Sequence, residues 1–262
     1  MPFISSRGVS IHYEVEGDPN APPLMLHHGW TSDIESWRDF GYVGALEDRF
    51  SLIMIDARGH GQSDVPENAG GYAPDLFVAD VEAVLDAVGV DSVIYWGYSM
   101  GAAIGFQLAV SAPGRVDRFI AGGMHPYGNP PDNDGTRGPR PTKATSGLRE
   151  GGMEGFIEAR ERDLGGTLVP KLRNRLLTFS ASGLAFAGEA WAGWEGVSDH
   201  LADIKAQTLL YAGTGDTAFH DGARRAAGGM PDACFVSIPG MSHDAGFASS
   251  RKALEAIGDF LG

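Results

Sequence analysis

Cysteine is almost absent: Cys234 is the only one in 262 residues. A disulfide framework or a thiolate metal site needs at least two, so the chain builds neither by itself. Cys234 lies between Ala233 and Phe235 in an apolar run and is expected to be a small buried hydrophobe. Basic residues are also scarce, with 20 Lys and Arg against 34 Asp and Glu and a formal net charge of −14. That balance does not build a face for a phosphate backbone, so no nucleic-acid partner is expected, and membrane surfaces and anionic substrates are disfavoured. Long apolar runs are missing: no stretch approaches the roughly 18 apolar residues that a spanning helix needs. The opening Met1 to Gly8 lacks a charged region followed by an apolar run, which predicts a cytoplasmic location. His27, His28 and His60 do not have the spacing of a metal site and there is no His-Glu-x-x-His, so neither metal nor cofactor is expected.

Short apolar runs, by contrast, alternate with helical patterns. Phe3 to Ser6 and Ser10 to Glu16 flank Arg7-Gly8 as a hairpin would. Strands are predicted at Pro23 to His27, Ser51 to Ile55, Ser92 to Trp96, Val116 to Ala121, Gln207 to Ala212 and Cys234 to Ile238. Helices are predicted at Ile34 to Glu47, Pro74 to Val88, Ala102 to Val110, Ala218 to Ala227 and Ser249 to Leu261. Such alternation implies a mostly parallel sheet of about eight strands with helices on both faces, an α/β fold whose ligands bind beyond the C-terminal strand ends. The rhythm stops after Gly123. Pro126 to Gly152 reads as a loop rich in Gly, Pro, Asn and Asp, and helical patches follow at Met153 to Leu164, Val169 to Ala181 and Leu184 to Trp194. Residues 125–205 are therefore expected to form an inserted helical cap, and residues 1–124 and 206–262 a single core domain.

The most informative stretch is Trp96-Gly97-Tyr98-Ser99-Met100-Gly101-Ala102, where a strand must reverse sharply into a helix. Glycines on both sides remove the Cβ atoms that would clash in that turn, so Ser99 projects its hydroxyl from the sheet end with helix N-terminal N–H groups beside it. Gly-x-Ser-x-Gly is weak evidence alone in a chain with 38 glycines. Two further residues strengthen it. His243 follows the last strand in Gly240-Met241-Ser242-His243-Asp244, and Asp216 follows the preceding strand in Gly213-Thr214-Gly215-Asp216. A histidine takes the serine proton and a carboxylate holds the imidazole, and all three residues fall on one edge of the sheet. His220 competes for the base, and Asp221 and Asp244 compete for the acid.

At this point the chain resembles the α/β-hydrolase family over its whole length. The motifs that carry the resemblance are His28-Gly29-Trp30, Asp56 to Ser63, Gly97 to Gly101, Gly213 to Asp216 and His243. The resemblance implies a Ser99–His243–Asp216 triad under a helical cap, with the backbone N–H groups of Trp30 and Met100 as the oxyanion hole. It implies a loop-bracing role for His28, and for Asp56 and Arg58 a structural one; His27 departs from the usual apolar residue. Trp30, Met100, Trp191 and Trp194 are expected to line the pocket, with Phe156, Phe179 and Phe186 as further cap aromatics. Serine as nucleophile argues against the epoxide-hydrolase and dehalogenase branches, which use aspartate. The implied activity is cleavage of small to medium, largely apolar carboxylic esters; lactones, C–C bond substrates and perhydrolysis are alternatives within the fold. A ligand-binding receptor that keeps the triad without turnover is the alternative from another class. The partner implied is a small-molecule ester or lactone, with a homodimer left open.

Overall fold

A computed structural model of the chain describes residues 2–129 and 138–262. The hairpin forms as β1 (Phe3–Ser6) and β2 (Val9–Gly17), followed by β3 (Pro23–His27), α1 (Ile34–Asp39), α2 (Tyr42–Leu46) and β4 (Ser51–Ile55). Then come α3 (Pro74–Val88), β5 (Val93–Tyr98), α4 (Met100–Ser111) and β6 (Val116–Gly122). Among the described residues, three α-helices lie between β6 and the next strand: α5 (Lys143–Leu164), α6 (Pro170–Leu176) and α7 (Ala181–Ala192). The chain closes with β7 (Gln207–Gly213), α8 (His220–Ala227), β8 (Ala233–Ile238), α9 (His243–Ala248) and α10 (Ser250–Ile257). The eight strands make one sheet in the order β1-β2-β4-β3-β5-β6-β7-β8. Pairing is antiparallel from β1 through β2 to β4 and parallel for every later neighbour.

Alternation along the central strands divides the core into two layers, because successive side chains of a strand leave opposite faces of the sheet. Met25, Ile53, Ile55, Val93 and Tyr95 pack with the apolar stripe of α3 and with α4 and α8. Leu24, Leu26, Leu52, Met54, Ile94 and Trp96 pack on the other face with α1, α2, α9 and α10. A third, smaller cluster lies within the inserted helices, around Leu148, Phe156, Ile157, Leu176, Phe179 and Leu184. Among the described residues no helix is long and apolar enough to cross a membrane.

Several expectations are corrected. The predicted Ile34 to Glu47 helix is two short ones, since Gly41 between them sits at φ 84 in the left-handed region. Helix α5 starts inside the predicted Pro126 to Gly152 loop because Thr142 and Thr145 form a reciprocal capping box; Gly152 (φ 60) bends it. Residues 130–137 of that predicted loop lie outside the described residues. His243 opens α9, capped by Ser242, instead of lying in open loop. Cys234 is exposed, not buried, because β8 is the edge strand of the sheet.

Candidate active site

Strand β5 delivers Ser99 to the end of the sheet, and the turn into α4 places it at φ 53 and ψ −117, a conformation that an L-residue holds only under strain of about 1–3 kcal/mol. Both neighbouring glycines are sterically required. A Cβ on Gly97 would come within 2.4 Å of the Ala102 nitrogen, and one on Gly101 within 2.1 Å of the His27 carbonyl oxygen. Ser99 is left 7% exposed at the N-terminus of a twelve-residue helix whose first N–H groups have no intrahelical partner.

The structure brings together the three residues expected of a triad. His243 Nε2 lies 2.9 Å from Ser99 Oγ, and His243 Nδ1 lies 2.7 Å from Asp216 Oδ2. Asp216 is 3% exposed, in the turn after β7. An ionised carboxylate only accepts, so it holds the imidazole proton on Nδ1 and leaves the Nε2 lone pair facing the serine hydroxyl. The competing residues are engaged elsewhere. His220 binds Ser237 Oγ at 2.8 Å and Asp221 at 3.0 Å on the β8 side, and Asp244 pairs with Arg160 at 2.7 Å.

Opposite the serine, Gly29 comes so close that a Cβ there would sit 3.1 Å from Ser99 Cβ. This puts the 28–30 turn against Ser99, and no backbone hydrogen bond engages the N–H of Trp30 or Met100 among the described residues. The turn is braced from behind. His28 donates from Nδ1 to the Gly29 carbonyl at 2.8 Å and accepts from the Ala57 N–H at Nε2 at 3.0 Å. Asp56 accepts from His12 and from the N–H groups of Gln62 and Ile34. Burial alone would push its carboxyl up, but the His12 hydrogen bond, the His28 ring and those two N–H groups outweigh it and hold the carboxyl below its usual range. Arg58 is 1% exposed and makes a two-pronged pair with Asp80 at 2.6 and 2.7 Å. His27 donates to Tyr95 Oη at 2.6 Å, and Tyr95 donates in turn to the Gly101 carbonyl at 2.9 Å. The unusual histidine thus braces the far side of the serine turn.

No group of three His, Cys, Asp or Glu side chains is placed to hold a metal ion among the described residues. His60 is buried beside His28, and burial first and then that neighbour push it down to about 3. In the unfolded chain it protonates below about 6.5. The unfolded state therefore binds the extra proton between those values, so stability is full above pH 6.5 and declines as pH falls toward 3. Each such histidine contributes a slope of about 1.4 kcal/mol per pH unit. Denaturant midpoints at pH 7.5, 6 and 5 are expected to fall in the wild type and to fall less steeply in His60→Gln; equal slopes would remove His60 as the source.

A cavity of about 450 Å³ is lined by Trp30, Trp191 and Trp194, three of the residues proposed for the pocket, and by Phe106, Met124 and Phe219. The Phe219 ring, part of the cavity wall, stands 5.0 Å from that of His243. Trp30 is anchored across it, donating from Nε1 to the Leu184 carbonyl at 3.0 Å and meeting Phe156 edge-on at 5.9 Å. Met100, also expected there, is a correction: it is not among the cavity's lining residues and belongs to the core layer. At the first helical position the side chain turns into the helix–sheet interface while its N–H stays at the open end. Phe156 and Phe179 belong to the small core of the inserted helices, and Phe186 lies under the Arg149 guanidinium. Phe106, Met124 and Phe219 were not anticipated; Met124 lies two residues beyond the β6 end, which was the one available signal.

Comparison with known proteins bears on this geometry. Epoxide hydrolase 4 of Mus musculus is 28% identical over 117 residues, 45% of this chain and 32% of its own. The match to this and the other epoxide hydrolases spans about a third of their length. 3-oxoadipate enol-lactonase 2 of Acinetobacter baylyi is 28% identical over 220 residues, 81% of this chain and 78% of the relative. Among solved structures, an esterase from Rhodococcus sp. ECU1013 superposes with a TM-score of 0.78 at 25% identity, covering 98% of each chain. The family described as alpha/beta hydrolase fold matches residues 22–200, from β3 through the Ser99 turn to the inserted helices, and the chain belongs to that family.

Proposed function

We propose that the chain is a serine hydrolase of carboxylic esters that works through an acyl-enzyme, with the inserted helices as its cap. The observation that carries this reading is the continuous hydrogen-bonded series from Ser99 through His243 to Asp216 at the head of α4. Ser99 Oγ attacks the ester carbonyl as His243 Nε2 takes its proton, and the imidazolium formed is stabilised by Asp216. Charge developing on the carbonyl oxygen is met by the N–H groups of Trp30 and Met100, each worth about 10²–10³ in rate by analogy with other oxyanion donors. His243 gives its proton to the leaving alcohol, then activates water to release the acid and free Ser99. The aromatic walls of the cavity suit a small to medium apolar acyl or alkyl group. A lactone is a cyclic ester open to the same attack, and the 28% identity to an enol-lactonase over 81% of the chain favours lactones as a second substrate class.

Steady-state hydrolysis of p-nitrophenyl esters from acetate to dodecanoate, with a set of lactones, tests the proposal in the wild type and in a folded Ser99→Ala variant. Turnover is expected on the shorter chains and is expected to vanish in the variant. No turnover on any ester or lactone, or turnover that survives in Ser99→Ala, would overturn it. Stoichiometric labelling of Ser99 by a fluorophosphonate without multiple turnover would instead indicate a receptor.

A further inference from the structure

Tyr98 immediately precedes Ser99 and ends β5, and its side chain crosses to the element that carries the base. Its phenol donates to the main-chain carbonyl of His243 at 2.6 Å. The ring stacks on Phe247, one turn further along α9, at 4.7 Å and 20° between planes, and lies 5.4 Å from the His243 imidazole. Burial pushes the phenol well above its ordinary value, so it remains a donor across the working pH range.

Two glycines, Gly123 just past β6 and Gly246 in α9, make room for this side chain, and a third, Gly122, makes room for it together with Tyr211. A Cβ on Gly122 would meet the Tyr211 ring at 2.5 Å as well as Tyr98 Cδ2 at 2.6 Å, and one on Gly123, at φ 56, would meet the Tyr98 ring at 2.8 Å and His243 Cε1 at 3.2 Å. A Cβ on Gly246 in α9 would meet Tyr98 Oη at 2.9 Å. The site is therefore shaped around a tyrosine that ties the nucleophile's strand to the base's backbone. His243 reaches Ser99 only from the N-terminal position of a six-residue helix, an element too short to fix its own orientation.

We propose that Tyr98 is a positioning residue that holds His243 in register with Ser99, acting through the His243 main chain and not on substrate. This rests on the serine-hydrolase reading above. Removing the phenol oxygen alone keeps the ring packing and releases the carbonyl, so the loss falls on the alignment of base and nucleophile and not on substrate binding.

In Tyr98→Phe, kcat for p-nitrophenyl butanoate is expected to fall about 10-fold with KM within two-fold of wild type, since sub-ångström misalignment of reacting groups acts on the chemical step. Inactivation of Ser99 by a fluorophosphonate is expected to slow by the same factor. The downfield proton resonance of His243 Nδ1–H, hydrogen-bonded to Asp216, is expected to broaden. A kcat and an inactivation rate within two-fold of wild type, with that resonance unchanged, would overturn the proposal. Should Tyr98→Phe fail to fold, Gly246→Ala, which presses on Oη without deleting the ring, is expected to show the same signature; a folded Gly246→Ala of normal kcat would equally overturn it. If wild-type Ser99 neither turns over ester nor reacts with fluorophosphonate, the hydrolase reading fails by itself. The His243 resonance in the variants then decides whether Tyr98 holds the base.

Discussion

Asp216→Asn is expected to lower kcat about 10⁴-fold on any ester the wild type cleaves, while the protein stays folded. Asp216 is buried and its Oδ2 lies 2.7 Å from His243 Nδ1, so the carboxylate dictates which imidazole nitrogen carries the proton. An amide in its place presents an N–H₂ group that donates to Nδ1, which moves the proton to Nε2. There it faces Ser99 Oγ as a donor, and the serine loses its base. The shape of the side chain hardly changes, so the thermal midpoint should move by only a few degrees. Asp216 is buried and bonds the ring nitrogen of His243 that faces away from Ser99, so KM should stay within a few-fold. Stopped-flow acylation with p-nitrophenyl butanoate, together with the thermal midpoint, checks the expectation. A loss below 10-fold in a folded variant would show that the tautomer of His243 is set by another group.

The meeting of Ser99, His243 and Asp216 was legible where local chemistry and topology coincide. Ser99, Asp216 and His243 each follow an apolar run that is marked by glycine and ends at the same sheet edge, so a parallel-sheet reading places them together before any coordinates are seen. The split at Gly41 and the cap at Thr142 depend instead on one backbone angle and one pair of side chains, which hydrophobic periodicity does not register. Met100 is different, because a helix start fixes the direction of the N–H and of the side chain separately, and its side chain joins the core layer. His27 stood out as unusual, but its partner Tyr95 is 68 positions away in sequence and one strand away in the sheet. The cavity walls behave the same way: Phe106 lies on the helix that Ser99 opens, and Phe219 lies in the turn before α8. Only the closed fold sets them around one space.

Asp80→Ala is expected to destabilise the protein by about 3–5 kcal/mol, because it strands a buried guanidinium without its counter-charge. Arg58 and Asp80 are each 1% exposed, and two of the Arg58 nitrogens contact the two carboxylate oxygens. The other Arg58 bonds, to the carbonyls of Gly71 and Leu76, are neutral acceptors and do not replace that charge. For a chain of this length the change corresponds to a fall in thermal midpoint of roughly 6–20 °C. Activity follows stability here, since Arg58 belongs to the loop whose Ala57 N–H binds His28 and so supports the turn beside Ser99. A drop in kcat well below the melting range is therefore expected in addition to the lower midpoint. Replacing the pair together, as Arg58→Met with Asp80→Leu, removes both charges and should recover most of the midpoint, because a desolvated ion pair contributes little net stability over apolar packing. Recovery of the midpoint without recovery of kcat would separate the two roles of the pair, general stability and support of the serine turn. A single Asp80→Ala variant that melts within 2 °C of wild type would mean that Arg58 finds solvent on losing its partner, and that the loop is held chiefly by Asp56 and His28.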